Sequence, residues 1–294
     1  MNAEDPFVAH RNLLFTVAYE MLGSAADAED VVQETWLRWA ALVEAERCKV
    51  RDPRAYLVRI VTRQALNRLR SLSRRKEDYV GEWLPEPLLT SPDIADDVEL
   101  AESLSMAMMT VLETLGPVER AVFVLREVFD VPYDEIAEAV GKSPAAVRQV
   151  AHRARSHVAA RRPRASVTPQ EQARVVERFL AALATGDVQG LMDVLAPDVV
   201  LVADGGGIAS AARKPLHGAQ TVARLLGMFA ELAPGATVGP LVINGAAAGW
   251  IDAGEQLGGT AVSLVVEDGR IARIFAVRNP GKLTRLDRET PLAR

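Results

Sequence analysis

The chain has 294 residues, 49% apolar and 25% charged, with 20 glycines and 16 prolines. At about 100 to 200 residues per domain this predicts two or three domains, each able to bury a core, and excludes disordered, collagen-like and repeat compositions. The single cysteine, Cys48, excludes an internal disulfide framework and a multi-cysteine metal site, and a formal charge of -5, taken as a mean, argues against nucleic acid.

The longest uncharged stretch, Leu232 to Ile251, carries Pro234, Pro240 and four glycines, which argue against a membrane-spanning helix. The segment from Met1 to Phe7 carries Glu4 and Asp5 and lacks a basic start followed by an apolar run, so no signal peptide is expected and the chain reads as cytoplasmic. The net charge hides a segregation. Residues 47–76 hold eleven Lys or Arg against the single acid Asp52, and residues 142–164 hold seven and no acid. Between them, residues 77–102 hold nine acids and no Lys or Arg, which cancels most of the positive charge on paper.

From Phe7 to about Lys76 the pattern is helical. Ser24, with Asp27 three residues on, resembles a capping box ahead of apolar Val31, Val32, Trp36 and Trp39. After Asp52-Pro53 a second long helix is expected, with Leu57, Ile60, Val61, Ala65, Leu66 and Leu69 as its apolar stripe. Arg59, Arg63, Asn67 and Arg70 fall at spacings of three or four on one exposed face. Residues 77–102, acidic and carrying Pro85, Pro87 and Pro92, read as a linker without a packed helix.

A second helical unit runs from Glu102 to Arg162, with Pro117 suited to a first helical turn. Tyr133 to Val158 reads as helix, turn at Gly141, helix, with Ser143 as N-cap and Pro144 at the first helical position. That is a helix-turn-helix layout. In its second helix Val147, Val150, Ala151, Ala154 and Val158 form the buried stripe, leaving Arg148, Gln149, His152, Arg153 and Arg155 to solvent. Arg suits guanine and Gln suits adenine edges, while the other cations would meet phosphates. An ordinary solvated basic helix would carry the same charges, and His152 alone proves nothing about metal.

After a shorter hinge near Pro163 to Pro169, an amphipathic helix is expected through Val175, Val176, Phe179, Leu180 and Leu183, then a second ending near Pro197. Strand-like runs follow at Val199 to Val202, Leu241 to Ile243, Thr260 to Val266 and Ile271 to Val277. Asp268-Gly269 marks a hairpin turn between the last two, and helices followed by paired strands indicate an α+β domain.

With these residues in place, residues 7 to about 162 resemble an extracytoplasmic-function sigma factor, the smallest class of bacterial RNA polymerase specificity subunit. The run Ala28 to Arg38 looks like the family's polymerase-binding helix, which implies contacts to the β′ coiled coil through Asp30, Gln33, Glu34 and Trp36. Pro53 to Arg75 looks like the segment that melts and reads the minus-ten element. Arg54, Tyr56, Arg59, Arg63, Asn67 and Arg70 would supply cations and an aromatic surface for an unstacked base. Leu115 to Arg155 looks like the domain that reads the minus-thirty-five element in the major groove.

The run Arg74 to Gly81 leading into Trp83-Leu84-Pro85-Glu86-Pro87 resembles the linker of the SigJ-type subgroup, which carries a C-terminal SnoaL-like extension. Thr168 to Val277 resembles that SnoaL-like, NTF2-like domain, a conical barrel of helices packed into a curved sheet. Two further subgroup motifs are present, Asp204-Gly205-Gly206-Gly207 and Asn279-Pro280-Gly281-Lys282-Leu283. Ile208 stands where a basic residue is usual and Gly281 where an Asp is usual, which removes the charges that a pair through those positions would use.

The resemblance implies the following organisation: sigma domain two at 7–77, linker at 78–102, sigma domain four at 103–162, SnoaL-like regulatory domain at 169–278 and tail at 279–294. It is a multidomain fold of two all-α sigma domains and one α+β NTF2-like domain. The implied partners are core RNA polymerase, through its β′ coiled coil and β flap, and promoter DNA, with no membrane. If Asp204 to Gly207 and Asn279 to Leu283 bind near Trp83, Leu84 and Pro85, they would bias the distance between the two DNA-reading domains.

Two rival readings remain open. One is a ligand-sensing helix-turn-helix regulator that binds DNA alone, with an unknown small ligand in the C-terminal domain. The other is an NTF2-fold enzyme tethered to DNA, using Asp198, Asp204 and His217. No nucleotide loop, metal spacing or nucleophile motif is visible, so no cofactor, metal or catalytic residue is expected.

Overall fold

The computed structural model describes residues 5–162 and 167–294, so the expected hinge from Pro163 to Pro169 lies partly outside the described residues. The chain divides into two compact units. One gathers residues up to Glu77 with Met108–Arg162 and Pro291–Arg294, and the other gathers Asp78–Ala107 with Pro163–Thr290.

The first unit is helical. Helix α1 (Pro6–Leu22) is capped by Asp5 and ends on Gly23 in the left-handed region at φ 69°, and every residue from Leu13 to Leu22 is buried. Helix α2 (Ala25–Ala40) starts on Ser24, whose side chain accepts the Asp27 N–H. It buries Val31, Val32, Thr35 and Trp39, whereas Trp36 lies off that stripe and is 38% exposed. A short α3 (Glu44–Arg47) leads to α4 (Pro53–Glu77), opened by Asp52 accepting the Ala55 N–H. Its stripe Leu57, Val61, Ala65, Leu66 and Leu69 packs against α1 and α2.

Helices α5 (Val98–Leu104) and α6 (Met106–Leu112) follow, and the boundary between the units falls inside α6. The acidic stretch therefore does contain a helix. Asp97 accepts the Leu100 N–H as its cap, so one of the acids held to disfavour helix starts it. Helix α7 (Pro117–Phe123) runs on through a π-helical turn at Val124–Val128. Helices α8 (Tyr133–Val140) and α9 (Pro144–Ala159) meet at Gly141, at φ 69°, with Ser143 capping α9.

The second unit sets helices against one six-stranded sheet. Helices α10 (Pro169–Thr185) and α11 (Val188–Val194) precede β1 (Leu195–Asp204), so the helix expected to end near Pro197 ends three residues earlier and Pro197 lies in a strand. Then come β2 (Leu216–His217), α12 (Ala219–Gly227), α13 (Phe229–Leu232), β3 (Thr237–Ile243), β4 (Ala246–Asp252), α14 (Gly254–Leu257), β5 (Gly259–Glu267) and β6 (Arg270–Val277). The order across the sheet is β2-β1-β6-β5-β4-β3, antiparallel except for β1 against β6. Asp268 and Gly269, at φ 50° and 72°, form the β5–β6 hairpin turn, and Asn244 and Gly245 form a like turn between β3 and β4.

Strand alternation divides the sheet's side chains between two faces. On one face Val262, Leu264, Ile271 and Ile274 meet Val176, Phe179 and Leu183 of α10. Gly249 lets this helix approach β4, since a Cβ there would lie 2.7 Å from Leu180 Cδ2. On the other face Ala261, Phe275 and Val277 meet Leu84 and Met106 of the 78–107 segment, with Leu283 and Leu286 packed alongside.

That segment also closes the sheet's β3 edge. Leu89 bridges Ile243 in antiparallel sense, Thr90 N–H donates to Val242 O at 3.0 Å, and Asn244 N–H donates to Leu88 O at 2.9 Å. Residues 84–88 are all buried, Leu84 at 1% exposure. Replacing a fully buried leucine by alanine costs about 2–5 kcal/mol. Leu84→Ala is therefore expected to lower the unfolding free energy of this unit by that amount, read as a lower denaturant midpoint, whereas Val80→Ala, at a half-exposed position, changes it by less than about 0.5 kcal/mol. An unchanged midpoint in Leu84→Ala would show that Leu84 does not fill this face.

Candidate regulatory clamp and nucleic-acid faces

The end of β1 places Asp204 in the interior, with no exposed side-chain surface. Its carboxylate receives four donors. Tyr79 Oη donates to Oδ1 at 2.5 Å and Gly206 N–H to the same oxygen at 3.1 Å, while Leu84 N–H and Lys282 Nζ donate to Oδ2 at 2.9 and 2.7 Å. Four donors fill the acceptor capacity of a carboxylate.

Lys282 is as fully engaged. Its Nζ also donates to Leu84 O at 2.6 Å and stands 3.4 Å from the centre of the Trp83 ring and 5.0 Å from that of Tyr79. Asn279 completes the cluster by donating from Nδ2 to Tyr79 Oη at 2.7 Å, while its Oδ1 accepts the Gly281 N–H. The Asp204 carbonyl accepts the Arg278 and Asn279 N–H groups, which fixes the tail's exit from β6. Burial, and then the bond to Asp204, push the Tyr79 phenol above its ordinary value, so it serves as a neutral donor.

The glycines are required sterically. A Cβ on Gly205 would lie 2.2 Å from the Ala209 carbonyl oxygen, and one on Gly206, at φ 62°, would lie 2.3 Å from Asn279 Nδ2. Gly207, at φ 71°, faces Val80. The loop's later turn is held by the Arg278 guanidinium, which donates to the carbonyls of Ser210 and Leu257, and burial lowers its pKa. Ile208 is 73% exposed, and Pro280 starts the short turn that carries Lys282 inward.

Among the residues weighed for chemistry in this unit, Asp198 and His217 are exposed, and Asp204 has its acceptor capacity filled. No group of three or more His, Cys, Asp or Glu able to hold a metal occurs among the described residues. No helix among them is long and apolar enough to cross a membrane.

In the first unit, α2 exposes Gln33, Glu34, Trp36 and Leu37 along one side. Asp30 is drawn to Arg68 of α4, which donates to it at 2.9 Å and to Asp27 at 2.6 Å. Arg63, Asn67 and Arg70 are exposed on α4, with Arg70 donating to Asn67 Oδ1, whereas Arg54, Tyr56 and Arg59 are half-buried. The Arg59 guanidinium lies 5.3 Å from the Tyr56 ring centre. On α9, Arg148, Gln149, His152, Arg153 and Arg155 are exposed as their spacing predicts, with Arg153 and Arg155 each 3.8 Å from a glutamate, Glu119 and Glu127.

Three residues outside the expected set have structural weight. Tyr79 stands in the run Arg74 to Gly81, yet nothing in its spacing marks it as a partner of Asp204. Glu138 of α8 receives Arg59 at 2.6 Å. Arg120 is 2% exposed and donates to Glu20 O and to Glu113, both at 2.8 Å, joining α7 to the C-terminal end of α1.

Comparison with known proteins supplies the family. Residues 7–75 match Sigma-70 region 2 and residues 105–158 match Sigma-70 region 4. The chain is 38% identical over 291 residues to the ECF RNA polymerase sigma factor SigJ of Mycobacterium tuberculosis, covering 95% of this chain and 92% of that one. It is 37% identical over 206 residues to a probable ECF sigma factor of the same species, SigI, covering 68% and 70%. The crystal structure of Mycobacterium tuberculosis SigJ superposes with a TM-score of 0.76 at 35% identity, over 98% of this chain and 99% of that one. The chain belongs to the extracytoplasmic-function RNA polymerase sigma factors and is an alternative sigma factor of transcription initiation, one that binds core RNA polymerase and promoter DNA.

Proposed function

We propose that this sigma factor is regulated by its own C-terminal domain through the linker, and that it carries no catalytic site of its own. The observation that carries this reading is the seat of Trp83 and Leu84 against Asp204 and Lys282. The linker joins the two DNA-reading domains, so its free length limits how far apart they can lie. With residues 79–90 bound to the sheet, part of that length is taken up.

Within this reading, the exposed side of α2 with Gln33, Glu34 and Trp36 contacts the β′ coiled coil, with Asp30 beside it. Arg54 to Arg70 on α4 serve the minus-ten element, and α9 reads the minus-thirty-five element while its domain contacts the β flap. The protein works in the cytoplasm, where its polymerase is. The buried clamp favours a linker-bound regulator over an enzyme, because Asp204 is bonded to the linker and tail instead of facing a substrate cavity.

Two measurements test these assignments. Arg148→Ala should weaken holoenzyme binding to promoters with a matched minus-thirty-five element by about 1–3 kcal/mol, read by run-off transcription at limiting holoenzyme, and to scrambled elements by much less. Equal losses on both would overturn the base-reading role of Arg148. Lys282→Met leaves Asp204 buried beside a neutral side chain, a change that costs about 3–5 kcal/mol. It should open the linker to limited proteolysis and widen the range of spacings between the two promoter elements that support initiation. A folded variant with a protected linker and unchanged spacing preference would sink the clamp as the regulatory element.

A further inference from the structure

The first unit contains a contact that the reading of α4 as a DNA-binding helix does not use. Arg59 Nη1 lies 2.6 Å from Glu138 Oε2, Arg63 Nη2 donates to Glu138 O at 2.7 Å, and Arg63 Nε to Ala139 O at 3.4 Å. Both carbonyls belong to the last turn of α8, where backbone acceptors lack helical partners and the helix dipole places partial negative charge. The end of α8 thus offers two α4 cations a carboxylate and two carbonyl oxygens, a set resembling the oxygens of a phosphodiester.

Beside this contact is a cavity of about 370 Å³, lined by Lys49, Arg51, Asp52, Tyr56 and Arg59 from the start of α4 and the stretch before it and by Glu135 and Glu138 of α8. Burial, then Asp52, push the Glu135 carboxyl above its usual value, opposed by Arg54. The acids of α8 therefore face the cationic and aromatic groups that single-stranded DNA needs, namely charges for its backbone and a ring for an unstacked base.

We infer that α8 is an internal competitor for DNA: Glu138 and the end of α8 hold Arg59 and Arg63 of α4, and a single strand binds there only after displacing them. The inference rests on the reading of α4 as the minus-ten segment. The side chains of Arg59 and Glu138 are 33% and 64% exposed, so their pair is of the weak, salt-screened kind. Such a contact sets a threshold for DNA without locking it out, and binding should be several-fold weaker than α4 alone would give.

The test uses the full chain and a fluorescent pool of random-sequence single-stranded 12-mers at low salt. Glu138→Gln keeps the shape and removes the charge, and should bind about 2- to 5-fold more tightly than wild type. Asp130→Asn makes the same charge change at an exposed site paired with Arg126, and should give a much smaller gain. In the Arg59→Ala background the benefit of Glu138→Gln should vanish. Equal gains in Glu138→Gln and Asp130→Asn, or none in Glu138→Gln while Arg59→Ala and Arg63→Ala lose affinity, would overturn the competition and leave α4 as the DNA-binding helix. No change in any of these variants would remove that reading, and the inference with it.

Discussion

The architecture of the C-terminal unit depends on the burial of one ion pair, Asp204 with Lys282. Removing two charges from water costs several kcal/mol for each ion, and their attraction offsets this only when the remaining lone pairs and protons are bonded. Here they are, and the partners come from separate stretches of chain: Tyr79 and Leu84 from the linker, Gly206 from the loop after β1, and Lys282 from the tail. A partly seated linker would strip donors from a carboxylate that stays buried. The seat therefore tends to be occupied completely or not at all, as a two-state element requires.

Apolar packing works in the same direction. The sheet has an apolar second face, and Leu84, Met106, Leu283 and Leu286 cover it, while Leu88 to Thr90 pair with the exposed edge of β3. An uncovered face and an unpaired edge would each be liabilities for a free domain. The segment between the sigma domains is thus a layer of the C-terminal fold, and it unites the covalent connection between those domains with the stability of the C-terminal unit.

Much of this was legible in the sequence where local chemistry and tertiary packing agree. The α4 stripe, the Ser143 and Pro144 start of α9, and the Asp268-Gly269 turn follow from periodicity and turn preference, and a resemblance in short motifs pointed to Asp204, Trp83 and Lys282. Other features were hidden for physical reasons. Composition makes residues 77–102 look solvated, yet Asp97 is a helix cap and Glu86 is buried at 4% exposure. Strand β4 is built largely of Ala and Gly, which have weak strand preference, and it forms because β3 and β5 pair with it on both sides. Trp36 has the spacing of a core residue but faces out, and the partnership of Glu138 with Arg59 spans 79 residues, beyond any local pattern.

The two helical domains are joined by contacts of unequal strength, and the inequality sets an order for their separation. Arg120 is buried, and its bonds to Glu20 O and Glu113 hold α7 to the end of α1, where Gly23 takes the left-handed backbone at φ 69° that disfavours a side chain. Withdrawing Arg120 would leave a buried carbonyl and a partly buried carboxylate short of a donor, a penalty of about 1–3 kcal/mol. The contact of Arg59 with Glu138 is partly solvated and loses little when water or a phosphate replaces either partner. Between the two lie the π-helical turn at Val124–Val128 and Asp130 in the left-handed region at φ 49°, the irregular backbone through which α7 gives way to α8. Of these two polar contacts, the one between Arg59 and Glu138 is therefore the one that water or a phosphate can replace at lower cost.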